Sequence, residues 1–337
     1  MSHRQIKRAT EAICAAQRIV LACHVNPDGD TLGCVLALAH ALRALGKEVT
    51  ALSSDGVPDI YRWMPGVEWI ETSTTRRDFD LAIVCDAGAL DRVGRAVQSA
   101  IAAAPCLIDI DHHVTEGVFG DIQVVDATAA ATAELVWQVL RALGVATGRD
   151  LATQEVAVCL MAGIITDTGS FRFLNVTPRT FLLAARLQRL GALPAPIAEN
   201  VFENRSFASL KLMGRALDSL QTTPDGRIAW AHVTARDFEE LGATDAETEG
   251  IVTQVRAVKD ALVGILFREI PGRKVRISLR GRDGADVRKI AEAFGGGGHT
   301  LAAGCSLAPP LADAERLVIA EAARQLEKAE GAQAHET

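Results

Sequence analysis

Apolar residues in the first half of the chain fall into short unbroken runs separated by longer stretches of helical spacing. RIVLACH (18–24), the run over 48–53, FDLAIVCD (79–86) and CLIDID (106–111) are rich in β-branched and aliphatic residues and predict strands, while 32–45 and 132–143 repeat their apolar positions with a helical period. Strands alternating with helices predict an α/β fold in which a parallel sheet is covered on both faces. A second unit is expected further on. GALPAP (191–196) interrupts the pattern, the amphipathic stretch 197–220 reads as one or two connecting helices, and the turn TPDG (223–226) precedes strand-like IAWAHV, LVGILF and VRISLR. GGGGH and a helix over 311–326 close this second pattern. The expected organisation is a parallel-sheet domain over 1–190, a helical linker over 191–220, a smaller α/β domain over 221–328 and a fraying polar tail over 329–337.

Several acid and imidazole side chains stand where the apolar runs of the first domain give out: His24, Asp28 and Asp30 in HVNPDGD, Asp86 in IVCDAG, His112 in IDIDHH and Asp167 in GIITDTG. In a parallel sheet ligands gather at the carboxyl ends of the strands, and His24, Asp86 and Asp111 are expected there. Asp28 alone would be read as a helix cap, since Asp favours that position; a cap does not need Asp30 and His24 beside it. Imidazole with carboxylate and no thiolate suits Mn(II) or Mg(II) better than a structural zinc. In the triplet Asp111-His112-His113, one imidazole can bind metal while its neighbour faces the substrate, and Asp111 orients an imidazole from behind. Asp109 is expected to be an ordinary strand residue.

Composition narrows the choice of partner. The 337 residues, 49% hydrophobic and 23% charged, support a sizeable core and about two domains. A net charge of -7 argues against a basic face that tracks a long nucleic acid. The seven cysteines are scattered through apolar stretches without a CxxC pair and read as reduced thiols of a cytoplasmic protein. No uncharged run is long enough to span a membrane, and neither a P-loop pattern nor GxGxxG is found.

HVNPDGDTLG, the Asp86 segment, DHH, DATAAATAE, GIITDTGSFRFLNVTPRT, EGIV, VRISLR and GGGGHTLAAG, in this order, resemble the DHH phosphoesterase superfamily, and within it the short-oligonucleotide branch of nano-RNases and 3'-phosphoadenosine 5'-phosphate (pAp) phosphatases. The resemblance spans nearly the whole chain. It implies a parallel-sheet DHH domain, a DHH-associated domain, and two divalent ions, Mn(II) or Mg(II), that activate a bridging hydroxide. It assigns one ion to His24, Asp28 and Asp86 and the other to Asp30, Asp86, His112 and Asp167. It makes His113 the phosphate or leaving-group contact, and Arg280, Gly297, Gly298 and His299 the substrate-binding residues of the second domain. GGGGH is expected to be a glycine-rich loop that exposes backbone N–H groups to a phosphate, with His299 adding a donor. The implied substrates are short RNA oligonucleotides, di- to tetranucleotides including pApA, and pAp itself. Long nucleic acid and membranes are not expected partners, and a homodimer is open. Inorganic pyrophosphatase or exopolyphosphatase activity and a non-catalytic nucleotide-binding module are the competing readings. Cys34, Gly281 and Glu116 depart from the residues common in the family; Cys34 is expected to be a packing change.

Overall fold

The computed structural model describes residues 3–113, 119–270, 272, 274–282, 284–308 and 310–334. Glu116 lies outside the described residues, as does the side chain of His299. The chain divides into two compact units, Met1–Asn204 and Arg205–Thr337.

The first unit runs α1 (His3–Ala15), β1 (Arg18–Ala22), α2 (Gly29–Ala44), β2 (Glu48–Leu52), β3 (Ile70–Glu71), β4 (Leu81–Cys85), α3 (Arg95–Ile101), β5 (Leu107–Asp111), β6 (Ile122–Val125), α4 (Thr132–Thr147), α5 (Gln154–Asp167), α6 (Pro178–Arg189) and α7 (Pro194–Ala198). Its six strands lie in the order β3-β2-β1-β4-β5-β6, and every pairing is parallel. Both faces are covered. Ile19 and Leu21 of β1 point into the core built with α1, α2, α4 and α5, whereas Val20 and Ala22 face the core that includes Val97 and Ile101 of α3. Successive residues therefore both need apolar side chains, which is why the strands read as unbroken runs and not as alternation.

VAVCLMAGIIT, which the sequence marks only as an apolar segment, is the middle of α5. This helix is buried against α2 and keeps no broad polar stripe to reveal its period. The two backbones come unusually close: a Cβ on Gly33 would sit 2.3 Å from the carbonyl oxygen of Cys159.

The second unit comprises α8 (Phe207–Asp218), β7 (Gln221–Thr222), β8 (Ile228–Val233), α9 (Ala235–Leu241), α10 (Ile251–Arg256), β9 (Val263–Glu269), β10 (Val275–Gly281), α11 (Val287–Glu292), β11 (Gly297–His299), β12 (Ala302–Leu307) and α12 (Leu311–Ala334). Its sheet order is β11-β12-β10-β9-β8-β7, antiparallel except for the β8/β9 pair. Val275, Ile277 and Leu279 of β10 face a core shared with α11 and α12, leaving Arg276, Ser278 and Arg280 on the other side of the strand. Helix α12 continues to Ala334 through residues expected to fray, in keeping with three alanines, Glu330 and Gln333, good helix formers that outweigh the single Gly331. Among the described residues no helix is long and apolar enough to cross a membrane. All seven cysteines are free.

Candidate metal centre

The sheet delivers the predicted side chains to one edge. Asp111 is the last residue of β5, Asp86 follows β4 directly, and His24 lies just beyond β1. Asp86 and Asn26 both adopt left-handed backbone conformations, with φ of 62° and 51°. Asp and Asn tolerate that region better than other non-glycine residues, and here it turns the chain sharply as it leaves the sheet. Asp28 caps α2: its Oδ1 accepts from the backbone N–H groups of Asp30 (3.0 Å) and Thr31 (3.1 Å). Its other oxygen lies 3.7 Å from Nε2 of His24, so capping and a place in the cluster are compatible roles for one carboxylate. Thr31 joins the start of α2 to the end of β4 by donating to the Cys85 carbonyl at 2.9 Å.

Asp86, 1% exposed, sits at the middle. One oxygen is 3.6 Å from His24 Nε2, and the other is 3.5 Å from His112 Nε2 and 3.5 Å from His113 Nδ1. His112 Nε2 is also 3.1 Å from Asp167, the last residue of α5. Three groups whose donor atoms lie within 4.8 Å of one another could each hold a metal ion: His24–Asp28–Asp86, Asp30–His112–Asp167 and Asp86–His112–His113. The first two contain all six side chains singled out in the sequence. His24 and His112 each place Nδ1 against a backbone carbonyl, that of Val25 at 2.8 Å and of Ala129 at 3.2 Å. A proton on Nδ1 makes that contact and leaves the Nε2 lone pair turned toward the cluster, the tautomer a metal ligand needs. The donors are all imidazole nitrogen or carboxylate oxygen, a set that fits hard to borderline divalent ions.

The electrostatics of the bare cluster agree with a site shaped for cations. Burial by itself would lower the pKa of His24, but hydrogen bonds to Asp28 and Asp86 raise it to about 10. His112 is likewise depressed by burial and then raised, to about 11, chiefly by Asp167. Burial pushes Asp30 well above the usual carboxylate range, and the neighbouring Asp167 and Asp86 push it further. Protons hold these charges together where divalent ions would. Asp111 accepts from Nδ1 of His113 at 2.7 Å and from the backbone N–H groups of His113 (2.9 Å) and Gly88 (2.6 Å). Burial opposes its ionisation, but these bonds hold its carboxyl below the ordinary range. The imidazole that Asp111 orients is thus His113.

In the second unit, Arg280 is half-buried between Gly264 of β9 and Ala302 of β12 and donates to the Leu279 carbonyl at 3.1 Å. It has no ion pair among the described residues. GGGGH, read as a loop, contributes the edge strand β11 instead. Gly298 has φ of 143°, and a Cβ there would lie 2.5 Å from the Ala302 carbonyl oxygen, so this glycine permits close strand pairing.

Several residues at the centre escaped the sequence reading. Oδ1 and Oδ2 of the fully buried Asp30 accept from the backbone N–H groups of Ala133 (3.0 Å) and Thr132 (2.6 Å), and the Thr132 hydroxyl donates to Asp86 at 2.9 Å. Gly163 makes room for the same carboxylate: a Cβ on it would be 2.4 Å from Asp30 Oδ1. The Cys34 thiol packs there too, donating to Asp30 Oδ1 at 3.6 Å. A threonine opening a helical stretch and a lone glycine in an apolar run were the available signals. Asp109 is no ordinary strand residue, since it is buried and burial raises its carboxyl to about 8.

Residues 18–164 match the DHH family, N-terminal domain, and residues 227–328 match the DHHA1 domain. A bifunctional oligoribonuclease and PAP phosphatase NrnA from Thermus thermophilus is 34% identical over 86% of this chain and 84% of its own length. The Bacillus subtilis protein of the same name is 26% identical over 86% of this chain and 89% of its own. The crystal structure of an exopolyphosphatase-related protein from Bacteroides fragilis superposes with a TM-score of 0.91 at 25% identity, covering 98% of each chain.

Proposed function

This chain belongs to the DHH family and carries its DHHA1 domain, and from that membership we propose that it is a phosphoesterase that hydrolyses short RNA oligonucleotides, di- to tetranucleotides including pApA, to 5'-mononucleotides, and pAp to AMP. The observation that carries this reading is the Asp86 carboxylate shared between the His24 and His112 groups, together with relatives named for both activities. His24, Asp28 and Asp86 would hold one divalent ion and Asp30, Asp86, His112 and Asp167 the other, Mn(II) being favoured and Mg(II) the alternative. When bound, such a pair lowers the pKa of water and offsets charge on the phosphoryl oxygens.

The protein's own residues supply the rest. His113 is held by Asp111 through Nδ1. Burial disfavours its charged form, while the hydrogen bond to Asp111 and the nearby carboxylates raise its pKa; in the charged form the proton on Nε2 would be the one given to the leaving oxygen. Arg280, Gly297, Gly298 and His299 are the proposed substrate contacts of the second unit, Arg280 offering a guanidinium not already spent on a carboxylate. Seven free thiols suit a reducing compartment, the cytoplasm.

Incubation of the protein and Mn(II) with labelled dinucleotide RNA, a long RNA and pAp tests this. The dinucleotide and pAp should be consumed fastest; a faster rate on the long RNA would sink the short-substrate claim. The likeness to the exopolyphosphatase-related protein favours a second reading, cleavage of phosphoanhydrides. Phosphate release from pyrophosphate or polyphosphate outrunning that from pAp would put it first.

A further inference from the structure

The first turn of α4 meets the metal-ligand candidates from behind. Asp86 leaves β4 in a left-handed conformation, which fixes where its Cβ points but leaves the carboxylate free to rotate, because the torsion to a planar terminal group has broad minima. For one oxygen to face His24 and the other His112, that rotation has to be set. Thr132 Oγ1, in a fully buried side chain, donates to Asp86 Oδ1 at 2.9 Å, and its backbone N–H donates to Asp30 Oδ2 at 2.6 Å. One residue therefore touches a carboxylate of each proposed ligand group. Rotation of either carboxylate would break one of these bonds in a place water does not reach, at a cost of about 1–3 kcal/mol for an unsatisfied buried group.

This turn is itself clamped. Glu134, 1% exposed, accepts from the Thr180 hydroxyl at 2.7 Å and from the Arg179 guanidinium Nε, both at the start of α6. Arg179 Nη1 reaches on to Asp126 at 3.1 Å. The ion pair of the buried Glu134 with the half-exposed Arg179, together with the Thr180 hydroxyl, ties the first turn of α4 to α6, so that Thr132 presents its hydroxyl from a fixed position.

We propose that Thr132 is a positioning residue which, through its hydroxyl, sets the rotation of the shared Asp86 carboxylate so that its two oxygens serve two metal ions. The assignment rests on the metal-centre reading above. Thr132→Val keeps the shape and the backbone N–H while removing the hydroxyl; Thr132→Ser keeps the hydroxyl. Mn(II) titration of the full-length protein, followed by the electron paramagnetic resonance signal of free and bound Mn(II), separates the possibilities. T132V should bind Mn(II) about 10–100-fold more weakly, the range for loss of a group that orients a ligand, with an altered bound-ion spectrum and a fall in kcat larger than any change in KM. T132S should restore both spectrum and affinity. T132V that binds Mn(II) as tightly as wild type, with the same spectrum, overturns the proposal. Should T132V fail to fold, Thr132→Ala read against T132S decides in the same way. Wild-type protein that takes up no Mn(II) refutes instead the metal-centre reading on which the proposal stands.

Discussion

In the first unit the carboxylates and imidazoles are withdrawn from water at the end of a parallel sheet, whereas in the second unit Arg268, Arg276 and Arg280 stand on one face of a mostly antiparallel sheet, the face that also carries Leu266. Asp30, Asp86 and His24 are each at most 5% exposed; His24 is held charged by Asp28 and Asp86 against the effect of burial, whereas burial and the neighbouring carboxylates push Asp30 the other way, toward its neutral form. On the second sheet Arg268 pairs with Asp245 at 2.7 Å and with the Ser278 hydroxyl at 2.7 Å, while Arg280, one step along β10, keeps its charge uncommitted. Buried charges of mixed sign are stable only as a set, so removing one disrupts the rest. A half-buried cation on a sheet face can be deleted with little damage to its neighbours. On the proposed function, one unit would do the chemistry and the other would hold what is acted on.

The sharpest way to break this contrast is Asp86→Ala. Activity should fall below detection and Mn(II) binding by calorimetry should be lost with it; retention of turnover would mean that the cluster is not the catalytic centre. His113→Ala comes next, with kcat on pApA lowered by about 10²–10⁴-fold, the usual weight of a general acid, and Mn(II) affinity little changed. A parallel loss of Mn(II) would make His113 a ligand, in line with its place in the Asp86–His112–His113 group. Arg280→Ala should act through KM, weakening the grip on substrate by about 1.5–3 kcal/mol, the range for hydrogen bonds to charged groups. If kcat fell instead, the division of labour between the units would be wrong.

Two smaller effects probe stability. Gly33→Ala would set a methyl group against the Cys159 carbonyl and should destabilise the protein by about 1–3 kcal/mol, read from denaturant unfolding. His232 of β8 bonds Glu315 of α12 at 2.7 Å, and that bond raises its pKa against the opposing effect of burial. Because the folded value is raised, the pair contributes fully below the unfolded value of about 6.5, and the contribution fades as pH rises through the folded value. Wild type should therefore lose up to about 1 kcal/mol relative to Glu315→Gln between acidic and mildly alkaline pH, as partly exposed pairs are worth little more. Equal pH profiles of the two proteins would remove the pair from the account.

What the sequence makes legible follows from how each feature is encoded. Strands β1, β2, β4 and β5 show as apolar runs because both their faces are buried, and His24, Asp86 and Asp111 are conspicuous because a charge ending such a run needs a reason. Helix α5 hides because an element buried nearly all round carries no polar stripe. Thr132 and Gly163 hide for another reason: a threonine at a helix start and a glycine in an apolar run are ordinary locally, and only the fold brings the Thr132 N–H to 2.6 Å from Asp30 and sets Gly163 where a side chain would meet the same carboxylate. The GGGGH strand was misread because glycines that allow close strand pairing look the same in sequence as glycines that make a loop.

The proposed ligands come from separate segments between His24 and Asp167, just past strands β1, β4 and β5 and on helices α2 and α5. No fragment of the sheet contains the whole set, so a divalent ion can bind strongly only to a chain that has already brought these distant pieces together. Ion binding then acts as a stabilising ligand of the first unit's native state, adding RT ln(1 + [L]/Kd) to its unfolding free energy. The second unit lacks these groups and gains nothing by it, so raising the Mn(II) concentration should draw one thermal transition into two, the lower one belonging to the unit that carries Arg280.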